Sequence, residues 1–193
     1  MKSKLLVLLF VLMTQSSISQ TLDHLKLETL NYFDAHFLMD FETIVNASYP
    51  KMVETFTKEK MLVTVENRFE NDEHRLRFQL QTIPLTYSKI TTLADQSFCI
   101  ISGRNPLRYF FETKLNTQTA AEKAEWLKQV NRTQEVTFEP KRNSFNVRRT
   151  TTFIAVADAS TAQKWKFFNL DDPLQYQAFR TLFDETILKA LGL

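Results

Sequence analysis

Residues 58–81, KEKMLVTVENRFENDEHRLRFQLQ, change their hydrophobic period half-way, and that change decides the fold class. Met61, Leu62, Val65 and Phe69 recur at three- and four-residue spacing and predict a helix over 58–69. After the polar Asn71-Asp72-Glu73 the period falls to two. Leu76, Phe78 and Leu80 alternate with Arg77, Gln79 and Gln81, the pattern of a half-buried strand. Helices followed by alternating strands make an α+β domain, whose sheet must bury its apolar face against the helices.

Upstream, Leu30, Phe33, Phe37, Phe41 and Ile44 carry a helical period from Leu22 to about Val45. Ser48-Tyr49-Pro50 interrupts it, and Pro50 is suited to the first turn of a short helix carrying Met52, Val53 and Phe56. Downstream, Pro84 marks a strand end, a bulge or an edge. Phe98–Ser102 and Leu107–Leu115 then read as two strands joined through Gly103-Arg104-Asn105-Pro106. Thr119 with Glu122 reads as a capping box for a helix carrying Trp126, Leu127 and Val130. Strand character resumes at Val136–Phe138, over Phe145–Ala157 and over Gln163–Asn169. Asp172, Pro173 and Gln175 then open a closing helix that runs through Ile187 to Gly192. Neither repeats nor a linker divide the chain, so residues 20–193 read as one domain.

Composition removes whole function classes. The only glycines are Gly103 and Gly192, too few for a phosphate-cradling loop or a dinucleotide-binding turn. His24, His36 and His74 have no metal-ligand spacing, so neither a metal nor a cofactor is expected. The single cysteine, Cys99, cannot form an intramolecular disulfide and reads as a small buried hydrophobe.

Residues 1–19 have the layout of a secretory signal peptide. Lys2 and Lys4 precede nine apolar residues, and Ser17 and Ser19 stand before a cut ahead of Gln20. The apolar run is far short of a membrane span, and no cysteine near the cut would take a lipid anchor. The expectation is an exported protein, periplasmic or secreted, with no integral membrane segment after cleavage. Removing Lys2 and Lys4 leaves 22 of the 24 basic residues against 22 acidic ones. A neutral chain has no general pull toward nucleic acid.

Three segments carry a family resemblance: Asp40-Phe41-Glu42-Thr43-Ile44-Val45, Ser48-Tyr49-Pro50-Lys51-Met52-Val53-Glu54 and Lys58-Glu59-Lys60-Met61. Together with Phe153–Ala157 and Lys164-Trp165-Lys166-Phe167 they resemble exported bacterial members of the nuclear transport factor 2-like superfamily, also called cystatin-like in fold. The resemblance covers roughly residues 22–170. Phe56-Thr57 stands where glycines are usual, and the closing helix from Pro173 lies outside the standard fold. It implies a cone: a curved, mostly antiparallel sheet wrapped on N-terminal helices, with an open end that often holds a ligand. It implies no particular activity, since one scaffold of this kind hosts many.

Three readings of function follow. The first is a non-catalytic module binding a small, mostly apolar ligand in the cone, with Tyr87, Tyr109, Phe111, Arg149, Trp165 and Phe167 as lining candidates. Of Arg148 and Arg149, one charge falls on each sheet face, and the inward one needs a partner. The second is an interaction domain with a filled cone, forming a homodimer through an exposed set of Phe110, Ile154 and Phe168 on the sheet's outer face. The third is a proton-transfer enzyme with a buried acid in an open cone. Asp34 and His36, two apart on a helix, cannot both face inward, and both read as surface residues.

Overall fold

The computed structural model describes residues 21–193. The signal peptide expected at residues 1–19 lies outside the described residues. Helix α1 (Leu22–Leu38) opens at Thr21, whose hydroxyl accepts the His24 N–H, and closes at Met39 in left-handed backbone, φ 58°. Asp40 accepts the Thr43 N–H and starts α2 (Phe41–Ala47). The single stripe expected through Val45 is thus two helices, because Met39 turns the chain and Asp40 recaps it. Its buried face is rotated as well. Leu25, Thr29, Tyr32, Phe33 and His36 point inward while Leu30 is exposed. α3 (Pro50–Phe56) and α4 (Lys58–Phe69) fall where the sequence predicts them.

Among the described residues seven strands form one antiparallel sheet: β1 (His74–Phe78), β2 (Leu85–Tyr87), β3 (Thr91–Leu93), β4 (Gln96–Phe111), β5 (Val136–Glu139), β6 (Ser144–Ala157) and β7 (Lys166–Asn169). Its spine is β4 against β6, paired from Ser97–Ala157 to Phe110–Ser144. Along the other edge of β4 run β1, β2 and β3 in turn, while β5 and β7 share the far edge of β6.

The two strands expected on either side of Gly103–Pro106 are one; β4 runs straight through the expected connection. Pro106 is tolerated because its carbonyl accepts the Gln79 N–H at 3.0 Å on the edge away from β6, so its missing donor breaks no spine bond. Gly103 is where β2 presses closest. A Cβ there would lie 2.8 Å from both the Pro84 carbonyl oxygen and Leu85 Cδ2.

Helix α5 (Thr117–Asn131) is capped by Asn116 and Thr119 reciprocally, three residues earlier than the Thr119/Glu122 box. The last strand starts at Lys166 rather than Gln163, because Ala162 and Gln163 occupy left-handed backbone after the turn at Ala159–Thr161. The closing helix is two helices, α6 (Pro173–Leu182) and α7 (Glu185–Leu191). Phe183 leaves the helix to bury its ring against Tyr49, Phe98, Phe168 and Phe179, and Asp184 recaps the chain. Gln175 completes no capping box; its side chain accepts the Asn169 N–H at 2.8 Å.

The helices cover the sheet unequally. On the outer face Ile154 and Phe168 are fully buried, with Phe168 packed edge-on against Phe179 and Phe183. The exposed set expected at Phe110, Ile154 and Phe168 is therefore not formed. The C-terminal helices occupy that face, and half-buried Phe110 has the guanidinium groups of Arg75 and Arg108 over its ring. Cys99 is buried and free, and burial pushes its thiol up.

His36 corrects the reading of it as a surface residue. It is 4% exposed, its Nδ1–H donates to the Tyr32 carbonyl at 2.8 Å, and the rings of Tyr32, Phe69, Phe78 and Phe153 surround it. Burial lowers its pKa from 6.5 to about 4, with Arg68 and Arg149 pushing the same way against the raising effect of the Tyr32 hydrogen bond. The unfolded chain therefore binds a proton that the folded one refuses across that window, so stability falls as pH falls from 6.5 toward 4. The expected slope is about 1.4 kcal/mol per pH unit from this residue. Urea unfolding of wild type and His36→Leu across that range should show the variant's pH dependence shallower by that amount.

Candidate functional site

The odd-numbered residues of β4 and their partners on β6 form the inner face, and their chemistry changes twice along it. At one end Cys99, Ile101, Phe153 and Ala155 join the cluster built on α1. At the other, Leu107, Tyr109, Phe111, Phe145 and Val147 pack with Leu127 of α5. Between them lie Gly103 opposite Thr151 and Asn105 opposite Arg149. A cross-strand pair sits within contact distance on one face, so a polar seam separates two apolar clusters.

The seam is buried and under-satisfied. Asn105 is 0% exposed, and among the described residues neither its amide nitrogen nor its amide oxygen has a hydrogen-bond partner. Arg149 is 7% exposed. One terminal nitrogen lies 2.9 Å from Asp171, while its Nε has no partner. Asp171 is itself held by the Thr151 hydroxyl and the Thr152 N–H. Burial lowers the Arg149 pKa, Asp171 raises it and Arg68 lowers it again. Tyr32 brings a further buried hydroxyl without a partner. Its pKa is raised by burial, lowered by Arg68 and raised by Asp172 and Asp171. Buried polar atoms left unpaired each cost about 1–3 kcal/mol, so a cluster of them calls for a reason.

Arg149 opens onto a cleft of about 550 Å³ between the C-terminal end of α5 and the first turn of α6. Its walls are Arg68, His74, Tyr109, Trp126, Asn131 and Asp172. The Tyr109 hydroxyl donates to the Asn131 side chain at 3.1 Å, and Asn131 in turn donates to the Leu127 carbonyl. His74 lies 5.3 Å from the Tyr109 ring and 5.5 Å from Trp126, ring to ring, with its buried Nδ1 unpartnered. Burial lowers its pKa, with Glu73 raising and Lys123 lowering it, so it stays neutral at neutral pH. Arg68 approaches Asp172 at 3.6 Å, and Asp172 accepts the Leu174 and Gln175 N–H groups to cap α6. The result is a cleft that combines three aromatic rings with convergent charged side chains, surfaces that can hold the flat and the polar part of a small molecule.

The six residues expected to line a pocket do not form one constellation. Tyr109 and Arg149 share the cleft. Phe111 packs behind it, in the cluster on α5. Phe167 stacks on Tyr32 at 4.6 Å, and Trp165 is buried in the same α1 cluster with its indole N–H unpartnered. Tyr87, on β2, is half-buried at the margin of that cluster. The sequence reading did not reach Asn105, His74, Trp126, Asn131, Arg68 or Asp171. One signal was available: had β4 been read as continuous, Asn105 falls in register between Ile101 and Leu107 as a polar break.

No protein-family model, curated protein or solved structure matches the chain. Among the described residues no cluster of histidine, cysteine or carboxylates could hold a metal ion, and no helix is long and apolar enough to cross a membrane.

A seam kept for a ligand rather than for the fold predicts a trade of stability against binding. Asn105→Leu fills a similar volume and removes two unpaired buried polar atoms, so it should raise unfolding free energy by about 1 kcal/mol. Denaturant titration of wild type and variant measures this directly. A loss of stability would assign Asn105 to packing.

Proposed function

We propose that this chain is an exported, soluble, non-catalytic module that binds a small molecule in the cleft between α5 and α6. The observation that carries the reading is Arg149, which lines the aromatic-walled cleft with its Nε unpartnered among the described residues, and its cross-strand neighbour Asn105, whose Nδ2 and Oδ1 are buried and equally unpartnered. Arg149 supplies the polar recognition, with the Asn105 amide beside it across the strands, and Tyr109, His74 and Trp126 supply flat apolar surface. Export is supported by the signal-peptide layout of residues 1–19. Membership of the nuclear transport factor 2-like superfamily is part of the same proposal, supported by the order of helices before a curved antiparallel sheet and by a ligand cleft on its helix-covered face.

The ligand reading moves away from the region expected at Trp165 and Phe167, where Tyr32, Phe153 and Phe167 fill the space ring against ring. The interaction-domain reading loses its expected patch, since Ile154 and Phe168 are covered by the chain's own helices. The enzyme reading needs a carboxyl with a raised pKa. Buried Asp158 moves the other way: desolvation raises it, but hydrogen bonds from Tyr49, Ser160, Gln96 and the Thr161 N–H more than offset this. It fastens α3 to the end of β6 as a structural anion.

Native mass spectrometry of protein purified from an export-competent host tests the proposal. Wild type should carry an adduct that disappears on denaturation, and Asn105→Leu should lack it. A bare dimer would support the interaction-domain reading, and an adduct retained in full by Asn105→Leu would remove the seam from the account.

A further inference from the structure

The cleft continues past its polar end. Thr64, Asp172 and Leu174 line it on one side and, on the other, line a second groove of about 450 Å³. That groove is walled by Met52, Phe56, Met61, Val63 and Val65, from α3 and α4, and only Glu59 and Lys60 bring charges to its rim besides Asp172. Val63 is 54% exposed and Leu174 52%, so large aliphatic side chains are left in water along one line from the groove to the cleft. The first turn of α6 is the saddle between an apolar channel and a polar, aromatic one.

Charge selects the head of such a ligand. The ionisable lining of the cleft is Arg68, Arg132 and Arg149 against Asp171 and Asp172, with His74 neutral. Three positive charges against two negative leave one in excess. Arg68 and Arg149 have their carboxylates, whereas Arg132, exposed at the end of α5, has no ion-pair partner among the described residues. A cation would have to sit beside a site already positive, and a dianion would leave a charge unmatched. A single negative charge balances the site, and a planar carboxylate matches the free Nε edge of a guanidinium.

We propose that the ligand is a single-chain amphiphile with a carboxylate head, a long-chain fatty acid in chemical class. The head lies against Arg149, with Arg132 as its outer counter-charge, and the chain passes over Leu174 into the groove between α3 and α4. This rests on the reading of the cleft as a ligand site and adds the second half of the ligand.

The test is calorimetric titration of the purified protein with laurate, dodecyltrimethylammonium and benzoate, all below micelle-forming concentrations. Laurate should bind saturably at one site, and dodecyltrimethylammonium roughly tenfold or more weaker. Val63→Asp and Arg132→Glu, both at exposed positions that carry no core packing, should each weaken laurate by roughly tenfold while leaving the unfolding midpoint unchanged. Benzoate should depend on Arg132 and be indifferent to Val63. Equal binding of the two dodecyl compounds, or laurate indifferent to Val63→Asp, overturns the amphiphile. Benzoate binding as tightly as laurate overturns the amphiphile and leaves the cleft reading standing. No binding of any of the three overturns both.

Discussion

The ion pair between Arg149 and Asp171 is the constraint on which the rest of the structure turns. A guanidinium on the inner face of a sheet spine, 7% exposed, is tolerated only with a partner, because desolvating a charge costs several kcal/mol. Asp171 is that partner at 2.9 Å. It is placed by the Thr151 hydroxyl, the Thr152 N–H and the Asn169 side chain, which accepts the Asp171 N–H. The next residue, Asp172, caps α6 and meets Arg68 of α4. One buried charge thereby fixes where the C-terminal helices leave the sheet and where α4 meets them. The cleft and the apolar groove are the two spaces left on either side of that junction.

Against this well-paired end of the arginine, its Nε and the facing Asn105 stand out. A protein that needed only to satisfy Arg149 would set an acceptor against its Nε–H, since a guanidinium only donates. Asn105 leaves both its amide atoms unpaired instead. Local conflict with the rules of burial, inside a fold that otherwise obeys them, is the mark of a position retained for something other than stability.

Much of the architecture was legible in the sequence. The switch of period after Phe69 separates helices from strands, and the alternation Phe145, Val147, Arg149, Thr151, Phe153 reads the inner face of β6 residue by residue, all five being buried. Arg149 was visible on that pattern alone. Asn105 was not, because Gly103, Asn105 and Pro106 carry turn chemistry, and only the approach of β2 and the side on which Pro106 faces show why they lie in a strand. His36 was missed for a different reason. Leu30 and Phe37 suggested one phase for the first helix, and packing chose another, with Tyr32 and His36 inward. Long-range contact decided both cases, and periodicity has no access to it.

On the proposed function, Arg149, with Asn105 beside it, holds the polar group of a ligand. Side-chain NMR of the protein labelled at asparagine amides and arginine Nε, titrated with carboxylates from benzoate to laurate, tests it most directly. The Asn105 amide and the Arg149 Nε–H should move most and saturate together. Saturable shifts elsewhere with these two unmoved, or no shifts at all, would contradict it.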